Sequence, residues 1–106
     1  MKVAITSTGD SLDSAMDPRF GRCACFALYD TETKKVEFIL NTAKTAEEGA
    51  GPAAVQIVAS HQVVKIISGD FGVKIKSLLT DLKIQMIVMK QEKTIKEIID
   101  LLNQQV

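Results

Sequence analysis

The sequence has no surplus of charge of either sign, no long apolar run, a single histidine and two cysteines in 106 residues, and each shortage removes a class of function. Lysine plus arginine and aspartate plus glutamate both number 13, so the formal net charge is zero. Proteins that work through a strong electrostatic field on nucleic acid or a membrane surface are not built this way, and neither is an expected partner. The opening Met1-Lys-Val-Ala-Ile5 reaches polar residues by Thr6, too soon for a signal peptide or a membrane span, so a cytoplasmic location is expected. Cys23 and Cys25 are then expected as thiols, because reducing compartments keep such pairs reduced. No Gly-x-Ser-x-Gly elbow, P-loop or Gly-x-Gly-x-x-Gly run occurs. His61 falls between a helix and a strand, away from the glycine turns, where it suits a helix C-cap better than a catalytic pair. No enzyme is expected.

What is present is enough for one core. At 46% hydrophobic, residues 1–106 make one domain and are too few for two. Lys2 to Thr6 reads as a strand, followed by turn formers and a segment from Asp10 to Gly21 with neither helical nor strand period. So long an irregular stretch in a small domain usually serves a function. Cys25 to Asp30 and Lys35 to Asn41 flank the polar Thr31-Glu-Thr-Lys34 as a β-hairpin. Proline favours the first helical position, so a helix is expected from Pro52 to about Ser60 with Gly51 as N-cap. Val63 to Ser68 and Ile84 to Met89 read as buried strands. Between them Phe71, Ile75, Leu78, Leu79 and Leu82 follow the stripe of an amphipathic helix. Thr94 and Glu97 form a capping box ahead of Ile95, Ile98, Ile99 and Leu102.

The expected order is β-β-β-α-β-α-β-α with a mixed five-stranded sheet and helices on both faces, an α/β arrangement of the kind found in ribonuclease H-like folds. A metal nuclease of that fold would want a carboxylate on the first strand, and Val3 to Ser7 offers none. Ligands of open sheets collect beyond the carboxyl ends of parallel strands, which here carry Ser7 to Ser14, Ser68 to Gly72 and Lys90 to Thr94.

Three groups of residues can carry chemistry. Gly49-Ala50-Gly51 and Gly69-Asp70-Phe71-Gly72 place small residues at helix starts, where free N–H groups and the helix dipole favour an anion; tight turns use glycine in the same way. Arg19 and Arg22, the only arginines, lie in a loop restrained by Pro18 and Gly21. They can bind an oxyanion or carboxylate, or pair internally with Asp13 or Asp17. Cys23 and Cys25 sit two apart at the start of a strand, so both are expected on one face, as ligands for a soft metal or as core filler.

Taken together, the chain resembles the dinitrogenase iron-molybdenum cofactor family. The resemblance is carried by Val3-Ala-Ile5, Leu12-Asp-Ser14, Pro18-Arg-Phe-Gly-Arg22 with Phe26, Asn41, Gly49-Ala-Gly51, Gly69 with Gly72, and the Thr94 to Leu102 helix. It implies a three-layer ribonuclease H-like α/β/α fold. It also implies noncatalytic binding of an iron-sulfur or iron-molybdenum type cluster, or a precursor, for carriage to a cofactor-biosynthesis or acceptor protein. The residues expected at that cofactor are Arg19, Phe20, Gly21, Arg22, Gly49, Ala50, Gly51, Gly69 and Gly72, with Cys23 and Cys25 as metal ligands.

Overall fold

Period-two alternation of apolar residues builds the centre of the molecule, and a computed structural model describes it over residues 1–104. The elements are β1 (Lys2–Ser7), β2 (Cys25–Asp30), β3 (Val36–Leu40), α1 (Ala50–Ala59), β4 (Val63–Ser68), α2 (Val73–Asp81), β5 (Gln85–Val88) and α3 (Ile95–Asn103). This is the order expected. The strands form one sheet in the order β3-β2-β1-β4-β5. Strand β1 pairs antiparallel with β2 and parallel with β4, while β2–β3 is antiparallel and β4–β5 parallel, so the sheet is mixed.

Alternation sends side chains to two cores. Ala4, Phe26, Leu28 and Ile66 pack beneath α1 and α2 against Ala54, Val55, Val58, Ile75 and Leu79. Val3, Ile5, Ala27, Tyr29 and Ile67 face Ile95, Ile98 and Ile99 of α3. Burying each of those isoleucines stabilises the fold by roughly 1.5–3 kcal/mol, so the capping box of α3 and its apolar face act together. Helices therefore cover both faces, two on one and one on the other.

Two helix boundaries differ from the sequence reading. Helix α1 starts at Ala50, and its N-cap is Gly49, not Gly51. Gly49 has φ 73°, the left-handed conformation that glycine adopts without strain, and its carbonyl accepts the first helical bond from Ala53 N at 3.0 Å. Pro52 is thus the third helical residue, still within the turn whose N–H groups lack intrahelical partners. Helix α2 starts at Val73, which leaves Phe71 before the helix although its ring is buried. Leu82, expected on the buried stripe, is the C-cap and 47% exposed. No described helix is long and apolar enough to cross a membrane.

Candidate functional site

Among the described residues, the five buried polar or charged ones, Thr6, Ser7, Asp17, Asn41 and Ser68, bear on one region: the loop between β1 and β2 and the strand ends beneath it. Buried polar groups must find partners, and here those partners give an irregular segment a fixed path. Asp17 N donates to Thr6 O and Thr8 N to Ala15 O, both at 2.9 Å. Thr6 Oγ1 donates to Asp17 O at 2.5 Å and lies 3.2 Å from Ser68 Oγ, which joins the ends of β1 and β4 to the loop. Further along, Asn41 Nδ2 donates to Gly21 O at 3.0 Å and Cys23 O at 2.9 Å, and its Oδ1 accepts from Ala43 N. One amide thereby fixes the far half of the loop to the segment after β3.

The arginines part company. Arg19 pairs with Asp17, one of the two internal partners considered from the sequence. The buried carboxylate accepts from Arg19 N at 2.9 Å, Nε at 3.3 Å and a terminal guanidinium nitrogen at 3.4 Å. That hydrogen-bonded pairing raises the guanidinium pKa further, yet the side chain remains 67% exposed. A buried anion thus aims an exposed cation. Arg22 instead donates to the carbonyls of Lys44 and Ala46, at 2.8 and 2.6 Å, and holds the 42–46 segment in front of α1.

Several residues expected at a cofactor have a packing role. Phe20 is buried, its ring centroid 5.7 Å from Phe26 and 5.8 Å from Phe71, so its side chain belongs to the core and not to the loop surface. A Cβ on Gly69 would lie 2.6 Å from Pro18 Cα, and one on Gly21 3.1 Å from Gly51 Cα. These two glycines let the loop lie directly on the end of β4 and on the first turn of α1. A Cβ on Gly51 would lie 2.5 Å from Ile75 Cδ1, so the first turns of α1 and α2 also touch. Ala50 is buried in that turn. Gly72 alone has neither a positive φ nor a close neighbour to require glycine.

The cysteines do not form the expected pair. Cys23 precedes β2, where strand alternation has not begun, and packs in the core beneath α1 and α2. Cys25 opens β2 and alternates with Phe26, which places it on the α3 side with Ala27 and Tyr29. The same-face expectation fails because it extended strand periodicity two residues too far. Burial pushes the Cys23 thiol up to about 12, with the Asp17 carboxylate adding to the effect, and the thiol donates to Phe20 O at 3.3 Å. Burial also raises the pKa of Cys25, followed by repulsion from Asp10. Both are free thiols, and such desolvated thiols resist becoming the thiolates that bind metal. Among the described residues no three His, Cys, Asp or Glu side chains gather as a metal-ligand set. The C-cap residue of α1 is Ser60, and His61, which follows it, meets the expectation only through its side chain, with Nδ1 2.9 Å from Ile57 O in the last turn.

The carboxyl ends of β1, β4 and β5 frame a cleft of about 720 Å³ lined by Ala15, Met16, Pro18, Arg19, Gly69, Asp70, Met89, Lys90 and Glu92, among others. Bridge pairing of Arg19 with Asp70 and of Ala15 with Thr94 closes its sides. Lys90 was missed as an individual residue. A lysine just past a strand carries no local signal, although the strand-end rule had marked the Lys90 to Thr94 segment.

The sequence pattern of the dinitrogenase iron-molybdenum cofactor family matches residues 1–105. The chain belongs to that family. Similar structures agree with the assignment. The apo form of the orange protein from Desulfovibrio gigas is 31% identical and superposes with a TM-score of 0.90, covering 99% of this chain and 89% of that one. A candidate NifB protein from Thermotoga is 32% identical with a TM-score of 0.84, covering 98% and 88%. An uncharacterized protein of Methanocaldococcus jannaschii is 32% identical over 89 residues, 81% of this chain and 72% of its own. In this family member the arginine loop, the Asn41 amide and the glycine contacts all lie at one end of the sheet.

Proposed function

We propose that the protein binds and carries an anionic metal-sulfur cofactor or its precursor, of iron-sulfur or iron-molybdenum type, and delivers it without chemical change. The observation that carries this reading is the Asp17–Arg19 fork: a buried carboxylate spends its acceptors on aiming one exposed guanidinium at the carboxyl ends of the parallel strands. Family membership and the region's location at the usual ligand edge of an open sheet support it. So do the first turns of α1 and α2, which receive no side-chain cap at the positive end of each helix dipole. The strand order β3-β2-β1-β4-β5 supports the ribonuclease H-like class for the fold.

Within this reading Arg19 contacts the cargo. Gly21, Gly49, Gly51 and Gly69 let the backbones that surround it approach, and Gly72 leaves the start of α2 uncapped. Arg22 and Phe20 act on the loop's shape. Cys23 and Cys25 are core residues and not ligands. Anaerobic reconstitution with iron, molybdate and sulfide, followed by elemental analysis and an absorption spectrum, tests the reading. Wild type should retain metal and sulfide together, and Arg19→Ala should retain several-fold less. A Cys23→Ser/Cys25→Ser variant that folds should retain as much as wild type. Retention unaffected by Arg19→Ala would sink the role given to the fork.

A second reading, a regulatory or delivery module with no cofactor of its own, draws on exposed apolar residues at the same end of the sheet. Val73 is 86% and Leu40 72% exposed. Metal-free protein that still binds a single partner would favour it.

A further inference from the structure

Strand β3 forms one border of the sheet, and its backbone is open in a regular way. In an antiparallel pair, alternate residues exchange both backbone bonds with the neighbouring strand, and the residues between them point theirs away. Asp30 N donates to Lys35 O and Asn41 N to Ala24 O, both at 3.0 Å, and the register of β2 with β3 runs unbroken between those pairs. Lys35, Glu37, Ile39 and Asn41 therefore bond inwards. The N–H and C=O groups of Val36, Phe38 and Leu40 point out of the sheet, and among the described residues no turn or cap bond takes them up. Proteins blunt such borders with proline, a bulge or a very short strand. The opposite border, β5, is only four residues long, but β3 has neither proline nor bulge. Its outward-bonding residues are also apolar and share the α3 side of the sheet. Val36 and Phe38, opposite Tyr29 and Ala27, are half-buried at the margin of that core, and Leu40, opposite Cys25, is 72% exposed.

The edge is complementary to itself. About a two-fold axis at Phe38, two β3 strands run antiparallel with Phe38 opposite the partner's Phe38 and Val36 opposite the partner's Leu40. Every outward backbone group then meets one of the other strand, and apolar side chains meet apolar ones. Charge favours this register over the next. Centred on Glu37, the strands would set the two glutamates directly opposite each other and leave Leu40 beyond the partner's strand. Centred on Phe38, Glu37 faces the partner's Ile39, the glutamates stand only diagonally across the axis, and Lys35 lies on the same face as each. With a formal net charge of zero, whole copies do not repel. We infer that a second copy of this chain docks on β3 and joins the two sheets into one across that axis. The pairing is independent of the carriage reading. It uses up β3 in both copies and so closes at a dimer. No β3 residue lines the cleft beside Arg19, so both clefts stay open, at opposite ends of the joined sheet.

A five-residue strand makes a small interface, so the dimer should form at about 100 μM and dissociate near about 1 μM. Sedimentation velocity of the full chain across that range measures it. Leu40→Lys should weaken the dimer about ten-fold, because the change occurs twice per dimer, and Glu37→Gln should tighten it several-fold. Leu82→Lys, at an exposed position closing α2, should change nothing. Circular dichroism establishes that each variant is folded. Hydrogen exchange of the wild-type chain reads the register without any substitution. Raising the concentration should slow exchange at the Val36, Phe38 and Leu40 amides and leave Glu37 and Ile39, already bonded to β2, unchanged. A chain that stays monomeric at about 100 μM, or that forms open-ended aggregates, overturns the inference. So does a dimer whose formation leaves those alternate amides unprotected, or one as tight in Leu40→Lys as in wild type, since either places the contact elsewhere.

Discussion

Three helices begin at the same end of the sheet, and their first turns are treated in opposite ways. In α3 every early donor is occupied. Ile95 N and Lys96 N donate to Ser14 O and Leu12 O at 2.9 Å, and Glu97 N donates to Thr94 Oγ1 while Glu97 Oε1 accepts from Thr94 N. In α1 and α2 the N-caps are Gly49 and Gly72, with no side-chain cap and no acidic residue in the first turn. The first half of the long loop is thus spent on closing one helix. The second half, Pro18 to Arg22, is laid against the open side by glycine contacts. A chain selected for stability alone would have capped all three, since a side-chain cap in place of glycine contributes roughly a few tenths of a kcal/mol. The contrast separates scaffold from binding surface and can be attacked from either side.

The largest effect is expected at the lock on the open side. Asn41→Ala removes the donors to Gly21 O and Cys23 O and the acceptor of Ala43 N, so interior backbone groups lose their partners. The cost should be about 3 kcal/mol, which in a domain of this size lowers Tm by roughly 15 °C. Thermal unfolding followed by circular dichroism measures it. A loss under about 1 kcal/mol would mean that water replaces the amide and that the loop is held elsewhere.

Next in size is a pH effect from beneath the same loop. An unfolded thiol titrates near 9 and the native Cys23 thiol near 12, so between these values the native state keeps a proton that the unfolded state has lost. Stability from this group is therefore complete below pH 9 and declines as pH rises towards 12, by about 1.4 kcal/mol per pH unit. Urea unfolding at pH 8 and pH 10 should show the decline in wild type and a shallower one in Cys23→Ala. Identical slopes would show that the thiol is less desolvated than its packing implies. At neutral pH, Cys23 in the native protein should resist alkylation.

On the closed side, Thr94→Ala breaks the capping box and should cost about 1 kcal/mol, or roughly 5 °C in Tm. Because Ser14 and Leu12 carbonyls also sit on that turn, hydrogen exchange should quicken at Ile95 and Lys96 while cargo retention changes little. A fall in retention matching that of Arg19→Ala would join the two halves of the loop into one functional unit and dissolve the contrast.

The parts of this arrangement legible in the sequence were those with a period or a local signature. Short runs rich in apolar, β-branched and aromatic residues announced all five strands, the stripe of α3 and its Thr94–Glu97 box were visible outright, and the strand-end rule marked the ends of β4 and β5 at the cleft but, of the loop after β1, only Thr8. The failures have equally local causes. Pro52 suggested the wrong start for α1 because a left-handed Gly49 leaves no trace in composition. Phe71 fits a helical stripe but packs from the segment before α2. Cys23 and Cys25 were assigned one face by a strand that begins only at Cys25. The divergence of Arg19 and Arg22 depends on contacts with Asp17 and with a segment more than twenty residues away, and of these only the Asp17 pairing was foreseeable as an alternative.

The smallest expected change is also the sharpest test of why α2 is open. Gly72 has φ −63° and ψ 158°, the extended geometry of an ordinary N-cap, and nothing lies closer than 4.0 Å to a Cβ built there. Gly72→Asp should therefore fit without strain, cap the first turn of α2 and place a negative charge at the positive end of its dipole, raising stability by a few tenths of a kcal/mol. Differential scanning calorimetry should show Tm rising by a degree or two. The same carboxylate would occupy the N–H groups proposed to face an anion, so metal retention after reconstitution should fall. A variant that is more stable and retains less cargo would mean that the missing cap is a feature of the site. If stability rises and retention is untouched, the open end of α2 is mere tolerance, and the binding surface contracts to Arg19 and the cleft beside it.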